Sequence, residues 1–243
     1  NFVAPEDHRI ALRDYKKHMA FVRDLSRQYP DGKKGITLHA GELTLGLVPP
    51  EHLGWHIREA VETAGALRIG HGIDIAYDQD MASLLKIMSE RKILVEINLT
   101  SNDVILGVTE SAHPLLTYMR HKVPVTLSTD DEGVSRIDLT HEYQRAAIDY
   151  ELSYQDLKEI SRNSLQYSFL PGEPLFDDVG SENVTRQCYG EALGASPAST
   201  TCAAFLFESL KANLQWQLES RFSFFEARFQ NRRAHPESLK GRL

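Results

Sequence analysis

Cysteine is nearly absent from this chain: 243 residues contain two, Cys188 and Cys202. They are too few and too far apart for a cysteine-rich zinc site. At this level they are either unconnected thiols or a disulfide stapling the Gly-Ala-Ser-Pro-Ala-Ser-Thr loop between them, and they hint at a periplasmic or secreted rather than a cytoplasmic compartment. Basic charge is also short, with 27 Lys and Arg against 34 Asp and Glu, a net charge of −7. Nucleic acid or an anionic membrane would call for a basic face, so a small or neutral ligand fits better. There is no apolar run long enough for a transmembrane helix and no signal-peptide core near the start. The chain opens Asn1-Phe2 without a methionine, which points to a processed, nicked or truncated product.

What is present alternates in period. Leu12, Tyr15, Met19, Val22 and Leu25 recur at helical spacing over 8–29, and Pro30-Asp-Gly ends the run. A strand Gly35–His39 follows, then a helix from Pro49-Pro50 to about Thr63, stopped by Gly65. Strand Leu67–Gly70, helix Asp80–Arg91 and strand Ile93–Asn98 come next. A loop, a short helix near Pro114 and strand Val125–Ser128 complete the alternation, which repeats at intervals of about thirty residues and marks βαβ units in a parallel sheet. Beyond it the pattern is helical. Ser153-Tyr-Gln-Asp156 has capping-box form and opens a helix to about Ser168. Residues 171–200 read as loop, and a last helix, about Thr201–Phe229, carries Phe205, Leu206, Leu210, Leu214 and Phe222 as its stripe.

Side chains alternate along a strand, so Thr37 shares a side with His39, Glu96 with Asn98, and Thr126 and Ser128 with Asp130. The aliphatic residues take the opposite sides, as in a barrel that divides lumen from helix layer. Leu67–His71 breaks the pattern, because His71 shares parity with Ile69. Four βα units make half of an eight-stranded barrel. The expected fold is therefore α/β, the C-terminal half of a (β/α)8 TIM-type barrel over residues 1–170, with 171–243 as a loop and helical extension packing on it in the same domain.

Polar residues gather at the strand C-terminal ends, where barrel active sites form: His39 and Glu42 in His-Ala-Gly-Glu, His71 in Arg-Ile-Gly-His-Gly, Asn98 and Asn102 in Glu-Ile-Asn-Leu-Thr-Ser-Asn, and Asp130 and Asp131 in Leu-Ser-Thr-Asp-Asp. In this order and spacing the motifs resemble the adenosine deaminase family of metal-dependent aminohydrolases over roughly residues 5–175, with Asn163–Pro171 similar to the family's helix after the last strand. Residues 176–243 carry no such likeness.

The resemblance implies a zinc ion held by His39 and Asp130, which activates water toward the purine carbon bearing the amino group. It makes His71 the residue that orients that water and takes its proton, and Glu42 the catalytic and substrate-binding donor to the adjacent ring nitrogen. Asp131 would bind the substrate at the imidazole-ring nitrogen of the purine. Asn98 and Asn102 are read as loop-ordering. The family also places a His-x-His pair at the end of its first strand, and no such pair occurs in this sequence. Two of the zinc ligands are then expected from an N-terminal fragment of the same protein, without which the piece would bind zinc weakly.

The other histidines are read as ordinary. His52 and His56 lie one helical turn apart but lack the Glu of a His-Glu-x-x-His site, and His8, His18, His113, His121, His141 and His235 are assigned to surface or packing. The expected reaction is deamination of adenosine or deoxyadenosine. The rivals are a deaminase of AMP, adenine or a modified adenosine, and a non-catalytic fragment or binding module. A phosphate-binding barrel is disfavoured by the acidic Asp130-Asp131-Glu132.

Overall fold

The computed structural model describes residues 5–29, 35–177, 183–195 and 199–234. The Pro30-Asp-Gly stop, His235 and part of the 171–200 loop lie outside them. Two compact units divide the chain, Asn1–Tyr167 and Ser168–Leu243.

The first unit is built on β1 (Thr37–Ala40), β2 (Arg68–His71), β3 (Leu94–Ile97) and β4 (Val125–Leu127), all parallel and hydrogen-bonded in sequence order. This is the α/β arrangement expected of half of a (β/α)8 barrel. The register sets Ala40 beside His71 and Ile97 beside Leu127, so the functional loops leave the sheet at neighbouring points. Ahead of the sheet lies α1 (Arg9–Gln28), which turns Ala11, Tyr15 and Met19 inward. Between strands come α2 (His56–Arg58), α3 (Met81–Glu90), α4 (Leu99–Leu106) and α5 (Leu115–Arg120). After β4 follow α6 (Glu132–Ser135), α7 (Leu139–Asp149) and α8 (Tyr154–Gln166). The core lies between the aliphatic strand residues and these helices, with Leu84, Leu85, Met88, Leu115, Tyr118 and Ile160 packed on Ile69, Val95, Ile97 and Val125.

Three segments depart from the sequence expectation. The helix expected from Pro49 to Thr63 is a 3-10 turn, Pro50–His52, then α2 running into a π-helical turn, Glu59–Ala64. The break is at Gly54, where φ is +76° and a Cβ would lie 2.1 Å from the Tyr77 carbonyl oxygen, so only glycine passes there. The loop expected after Asn98 is instead α4. Its buried residues are Leu99, Thr100, Ser101 and Asn102 in succession, so the one-sided stripe that reveals a helix in sequence is missing. The buried Glu142 of α7 accepts the Thr100 amide at 3.2 and 3.3 Å, which places a carboxylate at the start of that helix.

The third departure lies in the second unit. The single last helix is two, α9 (Thr200–Glu208) and α10 (Leu210–Ala234), separated at Ser209, whose hydroxyl donates to the Glu173 carbonyl at 2.6 Å. Its buried stripe is Cys202, Leu206, Ser209, Ala212, Gln215, Trp216 and Glu219, while Leu210 is exposed. The loop packed there needs hydrogen-bonding partners as well as apolar ones: Gln215 accepts the Leu175 amide at 2.7 Å. Cys188 and Cys202 form a disulfide within this small core. The capping box of α8 is present, Ser153 and Asp156 bonding reciprocally. No helix of the described residues is long and apolar enough to cross a membrane.

Tyr118 couples the core to the loops above it. It is fully buried, and its hydroxyl donates to the Gly72 carbonyl at 2.6 Å. Tyr118→Phe would leave that carbonyl without its partner, which costs about 1–3 kcal/mol. Urea denaturation should show that loss, and an unchanged midpoint would count against the bond.

Candidate functional site

Glu6 lies beneath the site, far from it in sequence. Its side chain is enclosed, Oε1 accepting the Gly41 amide at 2.9 Å and meeting His56 Nδ1, and Oε2 accepting the Glu42 amide at 2.9 Å. Gly41 has φ +81°, and a Cβ there would sit 2.6 Å from Asp74 Oδ1, so the turn between His39 and Glu42 depends on glycine. Enclosure alone would raise the Glu6 pKa. The hydrogen bond and charge of His56, the charge of His39 and the Gly41 amide together hold it below the usual carboxylate value. The His56 ring stacks on Tyr15, whose hydroxyl donates to the His39 carbonyl at 3.3 Å. His56, read from sequence as ordinary, is therefore buried support for this loop.

Above it, the Glu42 carboxylate lies between two imidazoles. His39 Nε2 is 2.9 Å from Glu42 Oε2, and His71 Nδ1 is 3.4 Å from Oε1. His39 Nε2 is electrostatically paired with Glu42 yet has no hydrogen-bond partner, and Glu42 Oε1 and Asn98 Oδ1 also lack one. Burial opposes charge on His39, but Glu42 and then Glu6 outweigh it and raise its pKa above the ordinary value. Burial dominates at His71 and lowers its pKa, against Glu42 and with His39.

His71 reaches the cluster because its backbone leaves the strand alternation. Its φ is +70°, a left-handed conformation uncommon outside glycine. The ring thereby comes to 4.4 Å from that of His39, which resolves the parity break seen in the sequence. Such strain persists where surrounding contacts hold it. Asn98 Nδ2 lies 3.3 and 3.4 Å from the two ring nitrogens and Asn102 Nδ2 lies 2.9 Å from Nδ1.

The structure thus brings His39, Glu42 and His71 into one group, with donor atoms all within 4.8 Å of one another. Asp130 stands further out, its Oδ2 at 4.0 Å from His71 Nε2 and accepting from Ser101 at 2.8 Å. Asp131 is exposed and precedes the first residue of α6. His39 Nε2, an imidazole nitrogen left without a hydrogen-bond partner, is a donor that suits zinc, and Asp130 offers a carboxylate oxygen on the far side of His71.

Sequence reasoning missed Glu6, Ser101 and His113, and it read Asn102 as ordering a loop. That reading is corrected: Asn102 is within α4 and fully buried against His71. Only Asn102 and Ser101 carried a usable signal, as polar residues in the run after β3. Nothing local links Glu6 to a loop 35 residues away.

A family model described as Adenosine deaminase matches residues 13–176. The chain belongs to the adenosine deaminase family. The adenosine deaminases of Escherichia coli strains SE11 and K12 are each 38% identical to it over 139 residues, 57% of this chain and 38% of those proteins. The chain therefore spans well under half the length of the curated relatives it matches. The crystal structure of adenine deaminase from Arthrobacter aurescens superposes with a TM-score of 0.50 and 21% identity, covering 61% of this chain and 42% of that one, a likeness of fold.

Asp74 yields a pH prediction. It is buried with Oδ2 accepting the Gly54 amide and Oδ1 unpaired, and burial pushes its pKa from 3.8 up to about 7. Between these values the folded state holds the extra proton, so this contribution is fully present below about pH 3.8 and lost as pH rises toward 7. Asp74→Asn should flatten the stability profile in that window by on the order of 1 kcal/mol per pH unit. Denaturation midpoints from pH 4 to 7.5 would show it, and parallel profiles for the two proteins would contradict it.

Proposed function

We propose that the protein carrying this chain hydrolytically deaminates adenosine or deoxyadenosine, giving inosine or deoxyinosine and ammonia, at a zinc-dependent site. The observation that carries the reading is the Glu42 carboxylate set between His39 and His71, in a chain of this family.

In this reading His39 and Asp130 are the zinc ligands, and two more histidines come from a preceding N-terminal part of the same protein. Zinc supplies Lewis acidity and a water activated near neutral pH. Glu42 donates its proton to the ring nitrogen beside the amino-bearing carbon, making that carbon electrophilic. His71 orients the attacking water on the same side as Glu42. As the new carbon–oxygen bond forms, one proton of the water passes to the amino group, the carbon–nitrogen bond breaks and ammonia leaves, and the proton remaining on the new hydroxyl returns to Glu42 as the carbonyl forms. Asp131 binds the imidazole-ring nitrogen of the purine. The low exposure of His71 and Glu42 shields their proton transfers from bulk water and strengthens their interactions.

A nucleoside is favoured over a nucleotide. The loops beyond β1 and β4, residues 43–48 and 132–136, carry one basic side chain, Arg136, where a phosphate would call for several.

Glu42→Gln should lower turnover of adenosine by at least about 100-fold while leaving bound zinc unchanged, followed by purine absorbance and metal analysis. Normal turnover would refute the role of Glu42. A protein with less than stoichiometric zinc and no deamination of adenosine, adenine or AMP would overturn the function as a whole.

A further inference from the structure

A series of hydrogen-bonding groups runs from the start of α5 to the ring of His71. The Leu115 amide donates to His113 Nδ1 at 3.1 Å, His113 Nε2 lies 3.2 Å from Asn102 Oδ1, and Asn102 Nδ2 lies 2.9 Å from His71 Nδ1. Asn102 is fully enclosed, and His113 and His71 are each 3% exposed. Enclosed polar groups of this kind are worth most when every member is satisfied.

The direction of each bond follows from its first member. A backbone N–H can only donate, so His113 Nδ1 accepts and carries no proton. Burial, with Arg145 and His71 adding to it, pushes the His113 pKa down to about 3, so the ring is neutral and its single proton is on Nε2. That proton is donated to Asn102 Oδ1, which decides which end of the amide faces which histidine. The Asn102 NH2 group is left to donate to His71 Nδ1. A ring nitrogen that accepts is unprotonated, so a neutral His71 holds its proton on Nε2, the nitrogen 4.0 Å from Asp130 Oδ2.

Two other groups approach the same ring. Asn98 Nδ2 is nearly equidistant from both nitrogens and selects neither, and Glu42 Oε1 is 3.4 Å from Nδ1, longer than the Asn102 contact.

We propose that Asn102 and His113 are positioning residues that set the tautomer of His71, holding its ring proton on the nitrogen that faces the site, so that a neutral His71 orients the water by donating to it in place of taking its proton, the role the family resemblance implies. The importance of this for turnover rests on the proposed deamination; the tautomer itself does not. The anchoring of α4 by Glu142 and Arg145, whose guanidinium reaches Asp103 at 2.9 Å and the Thr100 hydroxyl at 3.3 Å, keeps Asn102 in place.

Long-range proton–nitrogen NMR of the purified protein, labelled with 15N-histidine, distinguishes the two neutral tautomers ring by ring. Signals for His71 and His113 are assigned from their loss in His71→Gln and His113→Gln. Both rings should show the Nε2-protonated pattern at neutral pH. In Asn102→Asp, a carboxylate that can only accept faces His71 Nδ1, and the Nε2-only pattern of His71 should be lost as that nitrogen gains a proton. Rescue of the pattern is not expected from Asn102→Leu, which offers no donor.

A His71 protonated on Nδ1 in the unmodified protein, or an unchanged tautomer in Asn102→Asp, would overturn the proposal. The first measurement needs no variant to fold. An Nε2-protonated His71 in a protein that fails to deaminate adenosine would support this proposal and count against the function.

Discussion

A carboxylate taken wholly out of water is stable only where donors converge on it. Glu6 meets that condition with the amides of Gly41 and Glu42 and the ring of His56. The same three bonds shape the turn after β1, and so the angle at which His39 and Glu42 leave the sheet. Breaking a buried pair of this sort costs about 3–5 kcal/mol because the remaining charge stays enclosed. The loop is therefore held by electrostatics that the surrounding packing makes expensive to undo, and Tyr15 of α1 adds a bond to the His39 carbonyl.

The site above is assembled by two different means. On the β1 side, a glycine turn and a buried acid position His39 and Glu42. On the β2 and β3 sides, a left-handed residue and a run of side-chain hydrogen bonds bring His71 in and hold it, with Asn102 supplied by a helix whose first turn is capped by Glu142 of α7. Supporting groups of this kind decide how precisely a reactive group is held. Parallel register is what lets these separate devices meet, since it places the ends of neighbouring strands side by side.

Much of the fold was legible because it rests on short-range pattern. The strands, α1, α3 and the capping box of α8 all follow from spacing that a single segment carries. The misses have physical causes. α4 buries four consecutive residues and so shows no helical period, and the stripe of α10 includes Gln215 and Glu219 because loop backbone lies against it. At the site, His39, Glu42, His71 and Asp130 stood out as strand-end residues. Glu6 and His113 did not, because their significance comes from partners distant in sequence.

The sequence by itself determined which chemical groups are available and at which strand ends they emerge, because alternation along a strand and the glycine and proline breaks are local properties. It also carried the family, through motifs whose order and spacing are fixed in the chain. Only the tertiary structure decided that Glu6 holds the Gly41 turn, that His71 abandons its strand parity to face His39, and that His113 and Asn102 direct the proton on His71. Those outcomes depend on desolvation and on hydrogen-bond direction, and both come into being only when segments far apart in the chain enclose the same few atoms.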